Sequence, residues 1–117
     1  MAAGFACNGV DLRKRVPLAT MGGGAGNDVW GWADPQTGRE YALVGLDNGT
    51  AFVDVTNPEA PVFLGRLPTR TFASTWRDIK VYQDHAYIVA DGAGAHGMQV
   101  FDLTRLRGLA GPQNFSP

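Results

Sequence analysis

The stretch YALVGLDNGTAFVDVT, residues 41–56, decides the fold class. Two runs of apolar, aromatic and β-branched residues, 41–46 and 50–55, flank Asp47-Asn48-Gly49. Asn-Gly suits a type I′ turn, whose twist matches that of paired strands, so the stretch predicts a β-hairpin. Toward the N-terminus, Asp34-Pro35-Gln36-Thr37-Gly38 reads as a turn, because proline pre-sets φ and glycine accepts positive φ. Val29-Trp30-Gly31-Trp32 before it reads as a strand. In the other direction, Asn57-Pro58-Glu59-Ala60-Pro61 ends the hairpin and Val62-Phe63-Leu64 forms a shorter strand.

The same order of motifs then returns. Asp28-Val29-Trp30-Gly31-Trp32 aligns with Asp78-Ile79-Lys80-Val81-Tyr82, and Tyr41-Ala42-Leu43-Val44 with Ala86-Tyr87-Ile88-Val89. Ala51-Phe52-Val53-Asp54-Val55-Thr56 aligns with Gln99-Val100-Phe101-Asp102-Leu103-Thr104. A period near 50 residues built of strands, with no helical interval, is the mark of a propeller-like β-repeat array. The expected class is therefore all-β, with two blade-like repeats at about 27–67 and 77–107. Residues 1–26 are an irregular lead-in segment, and the chain ends in a loop-like tail. Propellers close with about four to eight blades, so two units make an incomplete ring, and the chain reads as part of a longer protein or of an oligomer.

Composition supports a folded β domain. The chain has 117 residues, 44% hydrophobic and 18% charged, and its 16 glycines and 7 prolines favour frequent turns over long helices. Ten Lys and Arg against eleven Asp and Glu leave a net charge of −1, without the basic footprint of a nucleic-acid or anionic-lipid binder. The single Cys7 excludes an internal disulfide and a cysteine zinc cluster. No apolar run reaches the roughly 18 residues of a membrane-spanning helix, and Met1 to Cys7 is too short and uncharged for a signal peptide.

NDVWGWADPQTGREYALVGLDNGTAFVDVTNPEAPVFLGRLP (27–68) and STWRDIKVYQDHAYIVADGAGAHGMQVFDLTRLRGL (74–109) resemble the LVIVD-repeat proteins of the choice-of-anchor B family. Cys7-Asn8-Gly9-Val10-Asp11-Leu12 and Val16-Pro17-Leu18 are similar to that family's opening. The resemblance implies a β-propeller from an exported bacterial surface protein, with a secretion signal and a C-terminal anchor beyond this N-terminal fragment. It implies no catalytic residues.

Several motifs invite a chemical reading. Gly92-Ala93-Gly94-Ala95-His96-Gly97 matches G-x-G-x-x-G, but a strand follows where a dinucleotide site needs a helix N-terminus, so a flexible inter-strand loop is expected and no cofactor. Asp28 and Asp78 start equivalent strands and are candidate metal ligands lining a propeller channel; hydrogen bonding to nearby backbone is their structural alternative. Asp54 and Asp102 precede Thr56 and Thr104 and are expected to bond local N–H groups. His85 and His96 read as exposed loop histidines. Trp30, Trp32, Trp76 and Tyr82 could stack on a sugar, although the matching positions of Trp32 and Tyr82 suggest one shared packing slot.

These readings converge on a non-enzymatic extracellular repeat domain whose loops bind a protein or a glycan. The alternative is a metal-assisted hydrolase with channel carboxylates, and a third reading is a spacer without a ligand.

Overall fold

The computed structural model describes Gly4 and residues 6–117. The chain is predominantly β. Strands β1 (Gly26–Ala33), β2 (Glu40–Leu46), β3 (Gly49–Asp54) and β4 (Val62–Pro68) form an antiparallel meander. Strands β5 (Arg77–Tyr82), β6 (His85–Ala90) and β7 (Met98–Asp102) form a second antiparallel sheet. A single helical turn, α1 (Leu18–Met21), precedes the first sheet, and a 3-10 turn (Leu103–Leu106) follows the second.

Alternation explains how the sheets meet. Successive side chains on a strand point to opposite faces, so Trp32, Tyr41, Leu43 and Phe52 line one face of the first sheet. They pack against Ile79, Ala86, Ile88 and Phe101 of the second, forming one core in which all eight residues are buried. Phe52 and Phe101 stack across the seam with ring centroids 4.6 Å apart. The inner strands are tied as well: the Ile79 N–H donates to an Asp28 carboxylate oxygen at 2.8 Å, and the Asn27 amide donates to the Arg77 carbonyl at 3.0 Å. The opposite face of the first sheet holds a smaller core of Leu46, Ala51 and Val53, which Met21 and Val16 of the lead-in segment cover.

The 41–56 hairpin forms, with Leu46 paired to Gly49, but its glycine serves a different purpose from the one expected. The two central residues are Asp47 and Asn48, and neither has a positive φ, so the turn is not type I′. A Cβ on Gly49 would instead lie 2.5 Å from the Leu67 carbonyl oxygen, so the close approach of β4 demands glycine. Positive φ at two successive residues occurs at Gln83 (46°) and Asp84 (60°), the two-residue turn between β5 and β6, where the sequence carries no glycine signal.

That turn also corrects the motif alignment. Trp32 pairs with Tyr41, whereas Tyr82 pairs with His85. With Trp32 matched to Tyr82, Tyr41 therefore corresponds to His85 and Leu43 to Tyr87, one position from the expected match. Leu43 and Ile88 lie on opposite faces of their sheets, because a slip of one residue inverts a strand. Trp32 and Tyr82 do not share a packing slot either. Trp32 is buried, stacks on Tyr41 and donates its indole N–H to Asp84 at 3.0 Å, while Tyr82 is exposed.

The tail is not loop-like throughout. Gln113–Asn114 forms β8, parallel to β4, and Phe115 is buried edge-on against Phe52 and Phe101. A Cβ on Gly65 (φ +123°) would fall 1.9 Å from the Gln113 carbonyl oxygen, so only glycine admits the tail.

Arg107, just past the 3-10 turn, reaches back to Asp34 with two bonds of 2.7 Å, and Gln36 N–H and Thr37 Oγ1 also donate to that carboxylate. The Arg107 guanidinium, helped by those donors, holds the Asp34 carboxyl far below the usual carboxylate range. The folded value lies below the unfolded one of about 3.9, so the stabilisation is complete above about pH 4 and is lost as pH falls toward the folded value. Asp34→Asn is expected to lower the melting temperature at neutral pH, with the two proteins converging on acidification below about pH 4. Thermal melts across pH check this, and a constant gap into strong acid would contradict it.

Candidate functional site

Where β5 begins and β6 ends, a cavity of about 280 Å³ opens, lined by Asn27, Trp76, Asp78, Val89 and Asp91 together with Arg77 and Ala90. Its walls are fixed by an extension of the β5–β6 ladder. The Asp91 N–H donates to the Trp76 carbonyl at 2.9 Å. The Ser74 hydroxyl donates to the Asp91 carbonyl and accepts from the Trp76 N–H. Trp76 is thereby held on both sides of its backbone, while the residue stays 66% exposed where it lines the cavity.

Asn27, Asp78 and Asp91 bring acceptor oxygens to the lining, beside the donor N–H groups of Trp76 and Arg77. The Asn27 amide gives one N–H to the Arg77 carbonyl, which leaves its oxygen and its second N–H. Lys80 places its ammonium 2.6 Å from Asp78, and this ammonium holds the Asp78 carboxyl below the usual range and therefore ionised. The same ammonium lies 4.5 Å from the centroid of the Trp30 ring. Asp91 adds a second carboxylate.

Arg77 is the buried support of this corner. Its side chain, 1% exposed, donates to the carbonyls of Leu46 at 2.8 Å and Asp47 at 3.4 Å, and to His96 Nε2 at 3.3 Å. Burial pushes the Arg77 guanidinium down from its ordinary value, and Asp47 offsets part of this. A guanidinium can only donate, so His96 Nε2 accepts and Nδ1–H donates to the Gly97 carbonyl.

His96 is thus buried, not an exposed loop histidine, and it anchors the glycine-rich 92–97 segment beneath the site. Positive φ at Gly92, Gly94 and Gly97 lets that segment fold back to deliver it. His85 is half-buried at the start of β6 and bonds the Gln83 carbonyl.

The candidates named from sequence separate into groups. Trp76 and Asp78 share the cavity, and Trp30 joins them through Lys80. Trp32 belongs to the core, and Tyr82 lies at the far end of β5. Asp28 spends one carboxylate oxygen on the Ile79 N–H. Among the described residues no group of three Asp, Glu, His or Cys side chains comes together as a metal site. Asp54 and Asp102 accept from the N–H groups of Thr56 at 3.0 Å and Thr104 at 2.9 Å, local bonds that shape the strand ends. Sequence reasoning missed Asp91, and it marked Asn27 and Arg77 only as polar neighbours of Asp28 and Asp78 that could face a ligand. Asn27 carried a signal, since it precedes Asp28 as Arg77 precedes Asp78.

No family model, curated protein or solved structure matches this chain. A second hollow of about 370 Å³ lies between α1, β4 and the tail, but Arg66, its charged lining residue, already donates to the Gly22 carbonyl at 2.9 Å. The cavity under Trp76 therefore has the stronger chemistry.

Proposed function

We propose that the chain is a non-enzymatic domain made of two consecutive β-propeller-type repeats, displayed outside the cell, which holds a glycan at the cavity beneath Trp76. The exposed indole is the observation that carries this reading. An aromatic face offers a flat apolar surface to the C–H face of a sugar ring, and the acceptors of Asn27, Asp78 and Asp91 suit its hydroxyl groups. The cavity volume sits near the lower end of the range for small-ligand sites, so it takes one sugar ring and not a chain of them. Extracellular display and further blades rest on the resemblance of the repeat motifs.

The two carboxylates of the lining have a consequence for selectivity. Neutral and amino sugars are expected to bind in preference to uronic and sialic acids, whose carboxylates would meet Asp78 and Asp91. Calorimetric or NMR titration with one sugar of each kind tests the proposal. Trp76→Ala should weaken binding by about tenfold or more, which is about 1.4 kcal/mol or more. Absence of binding by every class, or unchanged affinity in Trp76→Ala, would overturn the reading.

A further inference from the structure

We infer that the sugar held beneath Trp76 is an amino sugar with a free ammonium group, and that Asp91 is the counter-ion that selects it. This rests on the glycan reading above and narrows it to one charged class. The β5–β6 register pairs Arg77 with Ala90 and Asp78 with Val89. It continues one step further to set Trp76 opposite Asp91, whose N–H donates to the Trp76 carbonyl. Directly opposed residues of an antiparallel pair project from the same face, with Cβ atoms about 4.5–5.5 Å apart. The Trp76 ring and the Asp91 carboxylate are therefore neighbours on the outward face of the sheet, and both line one cavity.

The chain builds such an arrangement once already, with its own cation in place. The Lys80 ammonium lies 2.6 Å from Asp78 Oδ1 and 4.5 Å from the centroid of the Trp30 ring, so a carboxylate and an indole face share one positive group. An ammonium gains from both, through a charge-assisted hydrogen bond and through the ring quadrupole. Trp76 and Asp91 supply the ring and the carboxylate without the cation. Among the described residues no ion pair includes Asp91. Its hydrogen bonds run through its backbone, to the Trp76 carbonyl and from the Ser74 hydroxyl. The charges around the opening point the same way. Lys80 offsets Asp78, and the Arg77 guanidinium is buried where Leu46, Asp47 and His96 engage it. Asp91 is thus left uncompensated among the described lining residues. A hexosamine can give its ammonium to this carboxylate while the C–H face of its ring rests on the indole. N-acetylation of the same sugar removes the charge.

NMR titration of the intact chain with glucosamine, N-acetylglucosamine and glucose tests this at about pH 6, where the amine is charged and a carboxylate ionised. Glucosamine is expected to bind about five- to tenfold more tightly than either neutral sugar, from an exposed cation–π contact and an exposed ion pair together. Added salt should shrink that ratio, because charges at an open site are screened. In Asp91→Asn the ratio should fall to about twofold or less, whatever the variant does to sugar binding as a whole, and near-UV circular dichroism verifies that it is folded. Methylammonium, a cation without a sugar ring, should bind more weakly than glucosamine. Equal affinity for the three sugars, or a glucosamine preference that survives Asp91→Asn, would overturn the inference and leave the glycan reading standing. Methylammonium bound as tightly as glucosamine would also overturn it, since the ring would then contribute nothing. Failure of all three sugars to bind would overturn the glycan reading and this inference with it.

Discussion

Replacing Phe101 with alanine is expected to destabilise the chain by about 3–5 kcal/mol, against a total of roughly 5–15 kcal/mol for a domain. Phe101 is fully buried, stacks on Phe52 and receives the edge of Phe115, so one ring joins both sheets and the tail. Its loss removes apolar burial and leaves a cavity between two β-sheets that cannot easily close over it. The melting temperature should fall by about 12–20 °C, at roughly 4 °C per kcal/mol. The neighbouring Val100→Ala, on the outward face of the same strand, should change stability by less than about 0.5 kcal/mol in the monomer. Equal effects at the two positions would mean that the seam is not where the core lies.

Arg77→Met is expected to be comparably severe for a different reason. Methionine retains much of the buried stem, but it removes the side-chain donor of the Leu46 carbonyl and of His96 Nε2, while the Asp47 carbonyl keeps the Ser74 N–H at 2.8 Å. A buried acceptor left unsatisfied costs about 1–3 kcal/mol, so the two together give a loss of about 2–4 kcal/mol after relaxation. Arg77→Lys should recover little, because an ammonium cannot span three acceptors in the plane of a guanidinium fork. Denaturant unfolding of the three proteins checks this. A lysine variant as stable as the parent would show that charge, not fork geometry, matters at this position.

The strands were legible because alternation and turn residues act locally. Tyr41-Ala42-Leu43-Val44 announces its own pleat, and Asp34-Pro35 and Asn57-Pro58 announce its limits. The register between β5 and β6 was not legible, since Gln83-Asp84 adopts left-handed backbone conformations without glycine. That turn decides which residues face inward, and a motif alignment cannot see a shift of one. Gly49 and Gly65 show the converse case. Gly49 reads as a turn residue and Gly65 carries no signal, but their role is to admit backbone from β4 and from the tail, which is tertiary information.

The candidate site was half visible. Trp76 and Asp78 stand out as an aromatic and a carboxylate beside a repeat motif. Asp91 did not stand out, because only the Trp76–Asp91 backbone bond places it opposite them. Arg77 read as a polar neighbour of Asp78 that could face a ligand, and nothing local marks it as a charge buried to 1% exposure. His96 read as exposed because a glycine-rich stretch conceals a fold-back that buries its imidazole.

The central claim is that the two sheets share a single seam. NMR of the intact chain tests it most directly, through nuclear Overhauser contacts between the Phe52 and Phe101 rings and between Asp28 and the Ile79 amide. The account predicts both contacts and one rotational correlation time for amides of both sheets. Two correlation times, with neither contact present, would contradict it.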